Sequence, residues 1–105
     1  MDKPLQVTFH NLEHSDAVEE EVRARMGKLN ELCDRITSGR VVIDSPHRTQ
    51  ERARSFTVRI EIGLPRSEIV VSRDPVPDIQ QAVAGAFDVA KKRLRDYVER
   101  HNRSS

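Results

Sequence analysis

The sequence predicts an α+β fold, a two-layer β-α-β-β-β-α arrangement in which a four-stranded sheet carries two helices packed on one face. Three observations lead there. Two long stretches repeat apolar residues every three or four positions, the period of amphipathic helices. Ser55 to Leu64 alternates apolar and polar residues, the period of a strand with one buried face. The strand-like segments after the first helix are joined by short connections, which favour antiparallel pairing.

Leu5-Gln6-Val7-Thr8-Phe9 alternates as a half-buried strand. From about Asp16 the stripe Val18, Val22, Met26, Leu29, Cys33 and Ile36 marks a first helix, ended by Ser38-Gly39. Ser15 or Asp16 can cap it, Asp16 and Glu19 have the spacing of a capping box, and Glu19, Glu20 and Glu21 suit the positive end of the helix dipole. Arg40 to Asp44 reads as a short strand broken by Ser45-Pro46. In the next, Phe56, Val58, Ile60, Ile62 and Leu64 face one way while Thr57, Arg59 and Glu61 face the other. Pro65-Arg66 turns the chain into a strand over Glu68 to Ser72. After the stiff Asp74-Pro75-Val76-Pro77, a second helix is marked by Ile79, Val83, Ala86, Phe87, Ala90, Leu94, Tyr97 and Val98, with Pro77 in its first turn. Both helices bury their stripes most economically side by side on one sheet face, which leaves the other face wet.

A chain of 105 residues suffices for one domain spanning 1–105. No apolar run approaches a membrane span, and Met1-Asp2-Lys3-Pro4 lacks the apolar stretch of a signal peptide, so a cytoplasmic protein is expected. The single cysteine, Cys33, fits a reducing compartment and reads as a small core residue.

Catalysis is not expected. The sequence has no GxxxxGK[ST], GxGxxG or HExxH motif and no evident nucleophile with a base. His10 and His14 stand four apart but in a strand-to-helix connector, where the spacing guarantees no shared face and favours ordinary loop residues over a zinc site. No metal, cofactor or small-molecule substrate is implied. Gly27 and Gly85 each interrupt a helix at about 1 kcal/mol against Ala, through close packing or neutral drift.

Charge is the informative feature. The net charge is only +1, yet Met1 to Ile36 holds five Lys/Arg against eight Asp/Glu, and Lys91 to Arg103 holds six basic residues against two acidic. At 100° per residue, Arg25, Lys28 and Arg35 fall on one flank of the first stripe. Lys91 and Arg95 flank the second on one side, Arg93 and Arg100 on the other, and Lys92 points to solvent. Two adjacent helices can thus present a basic ridge, although cations near a helix C-terminus also answer its dipole. A second basic cluster, with Arg48, Arg52 and Arg54, lies in the loop before the third strand and could reach phosphates.

Gln6-Val7-Thr8, Asn11-Leu12-Glu13, Ser15-Asp16-Ala17-Val18, Lys28-Leu29, Asp34-Arg35-Ile36 and Asp78-Ile79-Gln80-Gln81-Ala82-Val83 together resemble the ribosome hibernation-promoting factors in their short form. The resemblance covers nearly the whole chain and implies a function by occupancy. Such proteins lay basic helix surfaces on ribosomal RNA of the small subunit, where messenger and transfer RNA bind, and silence ribosomes in stressed or stationary cells. Carried over, the RNA-binding positions are Arg25, Lys28, Arg35 and Lys92, with Lys91, Arg93 and Arg95 as neighbours. The chain departs from the family pattern at Gln80, Ala84, Val89 and Asp96, where the family often has tyrosine, aspartate, lysine and a basic residue, so the ridge is thinner. The implied protein is a monomer off the ribosome. The alternative is a relative that works away from the ribosome as a protein-interaction module.

Overall fold

A computed structural model of the chain describes residues 4–45 and 55–103. Its elements are β1 (Leu5–His10), α1 (Asp16–Leu32), β2 (Ser38–Asp44), β3 (Thr57–Leu64), β4 (Ser67–Ser72) and α2 (Ile79–Arg103). The expected β-α-β-β-β-α order is the observed one. The strands form one sheet in the order β1-β2-β3-β4. β1 runs parallel to β2 with Val7 opposite Val41, as a strand-helix-strand crossover requires, and the pairs β2/β3 and β3/β4 are antiparallel.

Alternation decides which face is buried. Val41, Ile43, Val58, Ile60, Ile62, Leu64, Ile69 and Val71 point to the helices, and Arg40, Arg59, Glu68 and Ser72 to solvent. Val18, Val22, Met26 and Leu29 of α1 and Val83, Ala86, Phe87, Ala90, Leu94 and Tyr97 of α2 close the layer in one cluster. Leu5, Val7 and Phe9 of the edge strand β1 are only half-buried against it.

Four local readings are corrected. α1 stops at Leu32, four residues before Ile36, because Cys33 is extended (φ −146, ψ 112) and its N–H donates to Leu29 O as the cap. Cys33 and Ile36 are nonetheless buried, so the apolar spacing runs on through the returning turn and disguises the helix end. Ser38-Gly39 begins β2 instead of ending the helix, and Gly39 faces the core where a Cβ would stand 3.1 Å from Met26 Cε. Phe56 precedes β3 and is only half-buried; its backbone makes a two-way bridge with Val76 (N···O 2.8 and 3.1 Å) that ties the proline-rich connector to the sheet. Pro77 lies before α2, whose cap is Asp78, with Oδ1 accepting from Gln80 N at 2.9 Å.

Ser15, rather than Asp16, caps α1, its Oγ accepting from Val18 N at 3.3 Å. The helices run in the same sense, since Glu21 and Arg25 lie beside Phe87, and Asp34 and Arg35 beside Tyr97 and His101. No helix among the described residues is long and apolar enough to cross a membrane.

Candidate nucleic-acid interface

The side-by-side helices leave a groove of about 720 Å³ along their outer surface, lined by Glu21, Ala24, Arg25, Lys28, Leu29, Glu31, Leu32, Phe87, Asp88 and Lys91. It brings three of the expected basic residues together: Arg25 and Lys28 from α1, Lys91 from α2. Each sits on the flank of its stripe that meets the other helix, so the side chain emerges at the seam with its charged end in water. Lys28 and Lys91 are exposed, and neither makes an ion pair among the described residues. Arg25 is half-buried, and its Nε donates to Glu21 Oε2 at 3.0 Å one turn earlier. A partly exposed pair one helical turn apart is worth about 0–1 kcal/mol, small enough for a phosphate to displace the carboxylate.

Lys92 and Arg95 extend the basic surface outward. Both are exposed and unpaired among the described residues, Arg95 on the same flank as Lys91 and Lys92 on the crest of α2. Arg35 is displaced from its expected place on α1, because the helix ends at Leu32. It stands exposed in the turn beyond, in a hollow with Tyr97 and His101. There the His101 ring stacks on Tyr97 at a centroid distance of 4.0 Å, and His101 Nδ1 meets Tyr97 O at 2.9 Å.

Arg93 is turned to the opposite side. Its Nη1 donates to Val70 O at 2.5 Å, occupying an outward carbonyl of the edge strand β4. An arginine so placed blocks strand addition at that edge. Arg48, Arg52 and Arg54 lie outside the described residues.

Charge in the groove is balanced by three acidic residues, two of which, Glu31 and Asp88, were not singled out from the sequence. Glu21, Glu31 and Asp88 line it beside Arg25, Lys28 and Lys91, and the same 100° count would have placed them. The unmatched positive surface is therefore the α2 crest and its α1-facing shoulder.

The histidines go separate ways. His10 Nδ1 meets Asp44 Oδ1 at 3.2 Å, which also accepts from Asn11 Nδ2 at 3.3 Å. His14 sits between Glu19 Oε1 at 2.6 Å and Asp16 Oδ1 at 3.3 Å. Among the described residues no three His, Cys, Asp or Glu are grouped to hold a metal ion. The His14 contact, then Arg23, holds the Glu19 carboxyl below the ordinary glutamate value, and Arg59 does the same for Glu61 on the open sheet face.

Residues 5–102 match the family model described as sigma 54 modulation protein / S30EA ribosomal protein. The chain belongs to that family. The family match spans every strand and helix but the last residue of α2. Two solved structures share the fold. The Protein Y N-terminal domain of Thermus thermophilus has a TM-score of 0.70 and 19% identity, over 88% of this chain and 94% of that one. A ribosomal subunit interface protein from Coxiella burnetii has a TM-score of 0.75 and 17% identity, over 91% and 98%. No curated protein sequence matches the chain. Family membership agrees with the resemblance read from Gln6-Val7-Thr8 through Asp78 to Val83.

Proposed function

We propose that this chain is a ribosome-bound inhibitor of translation that acts by occupancy, laying the α1/α2 surface on small-subunit ribosomal RNA in the channel of messenger and transfer RNA. The observation that carries the reading is the set of cations Lys28, Lys91, Lys92 and Arg95, unpaired among the described residues, on one side of a helix pair, in a chain of a ribosomal protein family. Arg25 joins them by exchanging Glu21 for a phosphate, and Arg35 extends the contact past the end of α1.

The contacts are to phosphates and to RNA shape, because the deep groove of an RNA helix hides its base edges. With about five phosphates engaged, affinity falls more than a hundredfold between low and above-physiological salt. No covalent chemistry is needed, and the protein works in the cytoplasm as a monomer until it meets a ribosome. Cells silencing ribosomes under stress or in stationary phase are where it acts.

The balanced groove favours a second reading, in which Glu21, Glu31 and Asp88 join the cations in docking a protein partner away from the ribosome. Competition separates the two. Labelled transfer RNA bound to isolated small subunits is titrated with the protein at low and moderate salt. Displacement that weakens with salt supports the ribosome reading; an absence of displacement at low salt favours the protein partner.

A further inference from the structure

Gly85 stands on the outer surface of α2, where an alanine would strengthen the helix. The position that a Cβ would occupy there is taken by the side chain of Arg73, which reaches over from the connector after β4. Arg73 Nη1 overlaps that position, and Arg73 Cζ lies 3.4 Å from it. The glycine is thus a notch in α2 with a guanidinium in it. No carboxylate among the described residues pairs with this arginine, unlike Arg23, Arg25 and Arg59, each of which holds a glutamate. Its charge faces solvent. From Gly85 to Lys92 is seven residues, close to two full turns, so the notch that holds the Arg73 guanidinium and the Lys92 backbone position share one line of the crest, about 10 Å apart along the helix axis.

We infer that Arg73 is a further phosphate-binding residue for RNA, positioned by the Gly85 notch, and that it restores to the crest of α2 part of the positive charge that its thin ridge lacks. The assignment rests on the RNA-binding reading above and adds to it a residue that lies outside both helices. The notch explains the choice of glycine. With Nη1 seated in the notch, the guanidinium keeps its Nε–Nη2 edge for the two oxygens of a phosphate, the geometry in which arginine binds best. Gly27 on α1 offers the contrast, since nothing lies within 4 Å of its Cβ position.

The test compares the full-length wild type with Arg73→Ala, Gly85→Ala and the double variant for binding to isolated small ribosomal subunits across a salt series, each with a urea unfolding curve. Arg73→Ala is expected to weaken binding roughly five- to tenfold near 0.1 M salt and to lower the salt slope by about one, with unfolding unchanged. Gly85→Ala is expected to raise the unfolding midpoint and yet weaken binding, because its methyl group evicts the guanidinium. In the double variant the Gly85 effect on binding disappears, the signature of two residues acting as one. If both single variants bind as wild type while Lys28→Glu/Lys92→Glu does not, Arg73 has no phosphate role and the inference falls alone. If the wild type itself fails to bind small subunits, the RNA reading falls and Arg73 falls with it.

Discussion

Arg66 follows Pro65 in the two-residue turn between β3 and β4 and takes φ 61, a left-handed conformation that glycine or asparagine adopts at less cost. Arg66→Gly is therefore expected to stabilise the protein by about 0.5–1 kcal/mol, the steric relief exceeding the added freedom of the unfolded chain; urea denaturation measures it. Phe87 is buried, with one edge on the groove, and Phe87→Ala should cost about 3–5 kcal/mol by leaving a cavity. Phe56→Ala at its half-buried site should cost clearly less. Glu19 and Glu61 have carboxyls held below their ordinary value by His14 and Arg59 respectively. A group depressed on folding lends stability that is complete above the unfolded value, about 4.3 for glutamate, and lost as the pH falls through the folded value. The urea midpoint should thus fall with acidification below about pH 4.3 more steeply in wild type than in Glu19→Gln/Glu61→Gln; parallel curves would remove these pairs from the account.

Elements were legible where local chemistry and tertiary packing agree. The Ser55 to Leu64 alternation survives as β3 because Val58, Ile60, Ile62 and Leu64 all reach the core. The α2 stripe survives because its contacts lie along one continuous helix. The end of α1 was not legible. Burial is a property of position in the fold, so Cys33 and Ile36 kept the helical spacing after the helix had stopped, and Arg35 was carried with them onto a helix it does not occupy. The role of Gly85 was hidden for a related reason, since it depends on Arg73, twelve residues earlier. Gly63 makes the same point in the sheet. A Cβ there would stand 2.5 Å from Ser38 Oγ and 2.9 Å from Thr37 Oγ1, where Thr37 N donates to Gly63 O. Gly63→Ala should accordingly turn the exposed Ser38 and Thr37 hydroxyls aside while leaving the strands paired, since the nearest backbone atom, Ser38 N, would stand at an ordinary 3.6 Å, and change stability by less than about 1 kcal/mol, again read from a urea curve.

Over the whole molecule, a net charge of +1 conceals a separation in space. One helix pair turns Lys28, Lys91, Lys92 and Arg95 outward, while Arg59 and Glu61 neutralise each other on the open sheet face with Nε 2.8 Å from Oε2. Because both helices end at the same side of the molecule, part of the basic surplus in Lys91 to Arg103 answers two helix dipoles, and the crest and shoulder of α2 carry what is left for a partner. Asp88 opposes that surface from within the groove. Asp88→Asn is expected to tighten RNA binding a few-fold at low salt and to lose that advantage at high salt, where its charge is screened; filter binding to small subunits checks this. The central claim is that the α1/α2 surface holds ribosomal RNA through solvent-facing cations. Its most direct test is co-sedimentation of the protein with isolated small subunits at low and moderate salt, beside Lys28→Glu/Lys92→Glu with its fold verified by circular dichroism. The account predicts salt-sensitive pelleting of the wild type that the folded variant has lost; equal pelleting of the two proteins would contradict it.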